Sequence, residues 1–304
     1  MQTFKPAAAS TRNMLYDANG NLTSITNNCG TTNYIWNARN QLAGIEGFNA
    51  NCTPLTASFK YDALGRRTEK TINGSTTKYL YDGLDVIQEK DKNGAVTVNY
   101  IRTLNIDEPL TRIKGTTVRH YVADALGSVI ALTDDAGAIK TTYTYDPFGN
   151  TTISGEASDN PFQYTGREND GAGLYYYRAR YYSPELQRFI SEDPIGLEGG
   201  DVNFYAYVGN NPVRYKDPAG LSISGSVCKA KCHIKVLPEF FGCQMESQGC
   251  GDKCDIIYLK RKIPPDPVGW ADCMKNCGMQ FQDCIEKAKK RREECFKNCE
   301  KKCE

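Results

Sequence analysis

The feature that most restricts what this chain can fold into is an aromatic residue followed by Asp or Asn and a turn, repeated along the first half. It stands at Tyr16-Asp17-Ala18-Asn19-Gly20, Trp36-Asn37, Tyr61-Asp62-Ala63-Leu64-Gly65, Tyr81-Asp82-Gly83 and Tyr145-Asp146-Pro147-Phe148-Gly149. Asp or Asn starts a turn and Gly closes it. Between the turns, residues 77–81, 95–100 and 140–145 are rich in β-branched and aromatic side chains with period-two alternation in places, which predicts strands. The first three dipeptide intervals are 20, 25 and 20 residues, enough for two short strands and two turns. An array of β-hairpins over residues 1–150 follows, in which each aromatic is expected to pack against the next unit. One unit alone would be unstable, and an ordinary antiparallel sandwich is the alternative arrangement.

Further along, the pattern Asp-Pro-x-Gly-Leu occurs twice, at Asp193–Leu197 and Asp217–Leu221. On the residues alone each is a turn, with Asp at i, Pro at i+1 and Gly at i+3.

Residues 160–221 are similar nearly throughout to the RHS repeat-associated core. The motif Tyr61-Asp62-Ala63-Leu64-Gly65-Arg66-Arg67 and its relatives resemble the YD repeats of RHS proteins, Tc toxin C components and teneurins. Ser183 stands where that family often has Asp, and Gln187 where it often has Gly. The resemblance implies repeats that wind a strip of sheet into a hollow shell. Those here, from about Tyr16 to Asn150, are too few to close one. It further implies that residues 151–221 form an aspartyl-type autoprotease cutting after the second Asp-Pro-x-Gly-Leu, at Leu221–Ser222. Two carboxylates held close cannot both ionise cheaply, so one keeps a proton as general acid and the other acts as base on a water. That pair would be Asp193 and Asp217. A guanidinium beside them would keep the base ionised, and Arg180 is the implied residue, ahead of Arg178 and Arg188. On residues alone Arg180 is equally a surface or packing arginine, because in a strand Arg178 and Arg180 would share one face. Such a site needs neither cofactor nor metal. Asp217 lies four residues before the cut. One turnover on the protein's own chain is therefore expected, with no activity on other proteins.

Cysteine usage changes abruptly after Leu221, where 11 of the 13 cysteines fall within 83 residues. That density suits a disulfide scaffold with an oxidising destination. Cys228-x3-Cys232 and Cys250-x3-Cys254 recur 45 residues later as Cys273-x3-Cys277 and Cys295-x3-Cys299. Residues four apart share a helical face, so the tail, residues 222–304, reads as two disulfide-stapled helical hairpins joined at Ile263-Pro264-Pro265-Asp266-Pro267. The spacing resembles that of α-hairpinins, which implies scaffold and not activity. Mirror-placed Cys243 and Cys284 would suit a bond between hairpins, leaving Cys303 odd. Zinc is the competing reading, weakened by the scarcity of Cys-x2-Cys knuckles and by His233 as the single nitrogen ligand in the tail. With only His120 and His233 in the chain, an HNH-type nuclease site is not expected.

The tail carries 16 Lys and Arg against 12 Asp and Glu, and the whole chain 37 against 36. That balance gives no clear case for a nucleic-acid or membrane partner, and the run Lys287 to Arg292 reads as a solvated helical face. The expected fold is therefore mainly β, a repeat strip with a core, followed by a small α-helical, disulfide-rich C-terminal domain. The expected function is a toxin cassette whose core releases the tail, its own substrate. An immunity protein and a secretion apparatus or longer shell would be its partners. Without a signal-peptide-like apolar segment, export to the cell surface or beyond would use a dedicated route. An adhesive or structural surface module and an incomplete, displaced cassette are the other readings; the start at Met1, at the edge of a repeat, keeps the latter open.

Overall fold

The computed structural model describes residues 12–49 and 51–221, with helical positions between 279 and 294. Ser222 and the tail cysteines 228, 232, 243, 250, 254, 273, 277, 295, 299 and 303 lie outside the described residues. Cys284 is described and is disulfide-bonded. Lys287, in the expected solvated run, is exposed and pairs with Asp283 one helical turn away at 2.6 Å.

Fourteen strands form one antiparallel sheet in simple chain order. They are β1 (Asn13–Tyr16), β2 (Leu22–Asn27), β3 (Gly30–Trp36), β4 (Leu42–Phe48), β5 (Pro54–Tyr61), β6 (Arg67–Ile72) and β7 (Ser75–Asp82). The strip continues through β8 (Asp85–Lys90), β9 (Val96–Arg102), β10 (Pro109–Lys114), β11 (Thr117–Ala123), β12 (Val129–Thr133), β13 (Ile139–Tyr145) and β14 (Thr151–Gly155). It therefore runs past the expected boundary at residue 150. The alternation of the sequence is the alternation of faces: Phe59, Tyr79, Tyr100 and Val129 are buried, while their neighbours Leu80, Ile101 and Ile130 are exposed.

The turns show what repeats. Asp17 Oδ1 accepts the N–H groups of Asn19 and Asn21, both at 2.9 Å, while the Gly20 N–H returns to the Asp17 carbonyl. Asn37, Asn49, Asp91, Asp124, Asp134 and Asp146 repeat the arrangement. Asp91, Asp124 and Asp134 follow Lys90, Ala123 and Thr133, so the repeating element is the Asx turn and the aromatic is optional. Tyr81-Asp82-Gly83 departs from it, because Asp82 pairs directly with Asp85 across a two-residue turn.

The aromatics point backwards along the chain, not towards the next unit as expected. Trp36 Nε1 donates to the Leu22 carbonyl at 2.8 Å, Tyr61 Oη to Leu42 at 2.7 Å, Tyr81 Oη to Arg67 at 2.8 Å and Tyr145 Oη to Val129 at 2.6 Å. Each acceptor is the first strand residue after the preceding turn of this kind on the same end of the strip. A register shift immediately before Trp36, Tyr61 and Tyr81 re-aims those side chains. A disulfide also lies in the strip, where none was expected: Cys29 and Cys52 join the β2–β3 and β4–β5 connections with 4.9 Å between Cα atoms.

The core is built on a second, small antiparallel sheet of β15 (Glu168–Asn169), β16 (Tyr175–Tyr177), β17 (Arg180–Ser183) and β18 (Arg188–Phe189). Leu174, Tyr176, Tyr181 and Ile190 pack into one apolar cluster with Leu22, Leu42, Ile45, Leu55 and Phe59 of the strip. Arg67 fixes the two together. It occupies the post-turn slot filled elsewhere by Leu22, Leu42, Val86 and Val129, and it is fully buried. Its guanidinium pairs with Glu168 at 2.6 Å and with Asp170, and its Cζ lies 4.2 Å from the centre of the Tyr176 ring. Among the described residues, no helix is long and apolar enough to cross a membrane.

Candidate cleavage site

Both Asp-Pro patterns are turns. The Gly196 N–H donates to the Asp193 carbonyl at 2.9 Å, and the Gly220 N–H to the Asp217 carbonyl at 3.3 Å. The side chains differ in what they hold. Asp193 Oδ1 accepts the Ile195 N–H within its own turn at 3.0 Å, whereas Asp217 Oδ1 accepts the N–H of Leu221 at 3.0 Å.

The fold brings Asp193, Asp217 and Arg180 together. Arg180 Nη2 lies 3.0 Å from Asp193 Oδ2 and 3.4 Å from Asp217 Oδ2, and the three side chains are almost wholly buried, between 3% and 7% exposed. Burial excludes the reading of Arg180 as a surface arginine. Its Nη1 donates to the Phe204 carbonyl at 2.9 Å, and its Cζ sits 3.7 Å from the centre of the Phe189 ring. Arg178 does not share a strand face with it, because Arg178 takes φ +59 in the connection between β16 and β17. Arg188 is placed elsewhere, its Cζ 4.3 Å from the centre of the Tyr205 ring. Gln187, at a frequent glycine position of the family, has φ +58, a conformation that favours glycine.

One buried cation between two carboxylates cannot neutralise both. Burial pushes the Asp193 carboxyl up to about 7, with the charge of Asp217 adding to the rise, although Arg180 and the Ile195 N–H oppose it. Burial also pushes the Arg180 guanidinium below its ordinary value. A cleft lined by Arg180, Asp193, Asp217, Gly199, Phe204 and Val208, among others, leaves space for roughly one water molecule. Gly199 is a residue that sequence reasoning missed. A Cβ there would lie 2.5 Å from Asp193 Oδ2 and 2.9 Å from the Leu221 carbonyl oxygen, so both oxygens crowd the space that a side chain at this position would fill. The signal was the Gly199-Gly200 pair between the two Asp-Pro turns. Leu221 itself is 1% exposed.

Residues 5–213 match the family described as the Teneurin YD-shell. The chain belongs to the teneurin YD-shell family. The match of this YD-shell chain includes Arg180 and Asp193 and stops before Asp217 and Leu221. The chain is 39% identical over 214 residues to the tRNA nuclease WapA of Bacillus subtilis, covering 67% of the YD-shell chain and 9% of WapA. It is 29% identical over 216 residues to the Double-stranded DNA deaminase toxin A of Burkholderia cenocepacia, covering 60% of this chain and 15% of that protein. The YD-shell chain thus spans 9% and 15% of the length of these two relatives. Among solved structures, TcdB2-TccC3 resembles it with a TM-score of 0.51 at 24% identity, covering 69% of this chain and 14% of that one, a likeness of fold.

Proposed function

We propose that this chain is the end of a YD-repeat toxin shell whose core cuts its own chain once, after Leu221, and thereby frees residues 222–304 as the effector. The observation that carries the proposal is the meeting of Asp193, Asp217 and Arg180 beside Leu221, whose N–H Asp217 accepts, around a cleft for roughly one water. Asp217, next to the guanidinium, takes a proton from the water as its oxygen attacks the Leu221 carbonyl carbon. Asp193 holds its proton to neutral pH and gives it to the carbonyl oxygen. Collapse of the tetrahedral intermediate returns that proton to Asp193. It breaks the Leu221–Ser222 bond, and the proton held by Asp217 passes to the departing amine. Asp217, Ala219 and Leu221 are all buried, which favours cleavage within the chain over cleavage of other proteins.

Relatives named for different activities, a tRNA nuclease and a DNA deaminase toxin, share this segment. That supports a common shell whose activity resides in what it carries. On this reading the tail is the passenger, an immunity protein protects the producer, and a dedicated export route takes the protein out. The test is cleavage in Asp193→Asn and Asp217→Asn beside the wild type, with the smaller fragment sequenced from its N-terminus. Loss of the cut in both variants and a fragment beginning at Ser222 are expected. A cut that survives either substitution, or that falls at another bond, overturns the assignment.

A further inference from the structure

We propose that Arg178 is a positioning residue for the cut, set by Asp107 and Asp85 of the strip, so that cleavage depends on these two carboxylates. This rests on the self-cleavage reading above. The connection between β16 and β17 meets the segment before the cut one residue at a time. Arg178 Nη1 donates to the Pro218 carbonyl, the Ala179 N–H to the Ala219 carbonyl at 3.2 Å, and Arg180 Nε to the Gly220 carbonyl. Gly220 fits against this connection because it has φ +69 and no side chain, since a Cβ there would lie 2.2 Å from the Tyr177 carbonyl oxygen. The place of the Leu221 carbonyl therefore follows from the place of Arg178-Ala179-Arg180.

Arg178 is held in turn by the strip. Its Nη2 and Nη1 reach Asp107 Oδ1 and Oδ2 at 2.8 and 3.1 Å, and Nη2 also lies 3.3 Å from Asp85. Asp107 is 5% exposed, sits at φ +60, and carries Arg167 on the same carboxylate. Its burial would push the carboxyl up, but Arg167 and Arg178 together hold it below the usual carboxylate range.

The strip breaks its own repeat to supply these carboxylates. In a sheet of sequential antiparallel strands the connections alternate between two ends. At the end that includes β1–β2, the connections at Asp17, Asn37, Asp124 and Asp146 are Asx turns. The β7–β8 connection at that end is a two-residue turn placing Asp85 at the start of β8, and the β9–β10 connection spans residues 103–108 and contains Asp107. Each departure brings a carboxylate to Arg178.

The experiment follows newly synthesised full-length chain as it converts to fragments, in wild type, Arg178→Met, Arg178→Lys, Asp107→Asn, the double variant Asp107→Asn/Arg178→Met, and Arg67→Lys as a control remote from the cut. Rates are measured below each variant's thermal midpoint, across pH. Loss of the guanidinium is expected to slow cleavage on the order of 10²-fold, the scale of a displacement of about 1 Å at a reacting bond. Arg178→Lys should recover part of the rate, and the double variant should be no slower than Arg178→Met alone. The fall in rate above pH of about 7 should persist, because Asp193 is untouched. Arg67→Lys should lower the midpoint and leave the rate at the wild-type value. Should Arg178→Met fail to fold, Arg178→Lys and Asp107→Asn carry the same comparison. A wild-type rate in the Arg178 variants, additive slowing in the double variant, or rates that follow the thermal midpoint in every variant including Arg67→Lys would overturn the positioning role alone. A wild type that stays whole would overturn the self-cleavage reading and this one with it.

Discussion

The strip and the core solve the same problem, an all-β chain with buried polar groups, by opposite means. In the strip, the Asx-turn connections are satisfied locally: an Asp or Asn side chain accepts N–H groups two and four residues on, and at Trp36 and Tyr61 an aromatic tip reaches the preceding unit. In the core, strands are two to four residues long, and order comes from long-range contacts between charged side chains and distant backbone. Thr165, Arg178, Gln187, Val208 and Asn210 all take positive φ there without being glycine. Such conformations persist only where the surroundings over-determine them, and they gather where function requires a fixed geometry. A repeat can lose one bond and stay closed, whereas the core depends on a few residues.

That contrast has measurable consequences. Arg67→Met should give the largest loss, because it leaves Glu168 buried without its cation and Asp170 with Lys70 alone. Breaking a buried pair of this kind costs roughly 3–5 kcal/mol, read as a lower midpoint in denaturant titration of a cleavage-deficient background. Reduction of Cys29–Cys52, which spans 23 residues in the strip, should cost about 2–4 kcal/mol and leave the cleavage rate unchanged. An equal effect on cleavage would mean that the cut depends on the strip beyond Asp85 and Asp107.

Asp193 gives the pH arm. Its folded pKa is raised to about 7, so its contribution to stability is fully present below the usual carboxylate range and is lost as pH rises through about 7. The cleavage rate should fall over the same window, tending to about tenfold per pH unit well above it, as the general acid loses its proton. A rate that instead rises through pH 7 would assign the two carboxylates the other way round. At the small end, Tyr61→Phe, which loses the 2.7 Å bond to Leu42, should cost about 1 kcal/mol. Asp134→Ala in an exposed turn should cost about the same or less, each by thermal midpoint.

The difference between the regions also decides what could be read from the residues. The strands at 77–81, 95–100 and 140–145 were legible because alternation and turn chemistry are local, and β7, β9 and β13 fall there. Turns at Asp91, Asp124 and Asp134 escaped because the aromatic drew attention and the Asx residue does the turning. The backward reach of Trp36 and Tyr61 was illegible, since the bulge that aims each ring leaves no mark in composition. In the core, the two Asp-Pro patterns were visible as turns. That Arg180 would lie between their carboxylates came from resemblance, because nothing in the local sequence says which arginine turns inward. Arg67 and Asp107 carried signals that went unread, a charge in an apolar slot and a break in a regular series of turns.

On the proposed function, the Leu221 carbonyl is hydrolysed by the buried Asp193–Asp217 pair. The most direct measurement is the intact mass of wild type and Asp217→Asn synthesised in a cell-free system made up in heavy-oxygen water. The expected result is two wild-type fragments, residues 1–221 and 222–304, with one heavy oxygen in the new Leu221 carboxylate, and a single unbroken chain from the variant. A wild type that remains whole, or a cut that appears equally in Asp217→Asn, would contradict it and reduce both Asp-Pro patterns to turns.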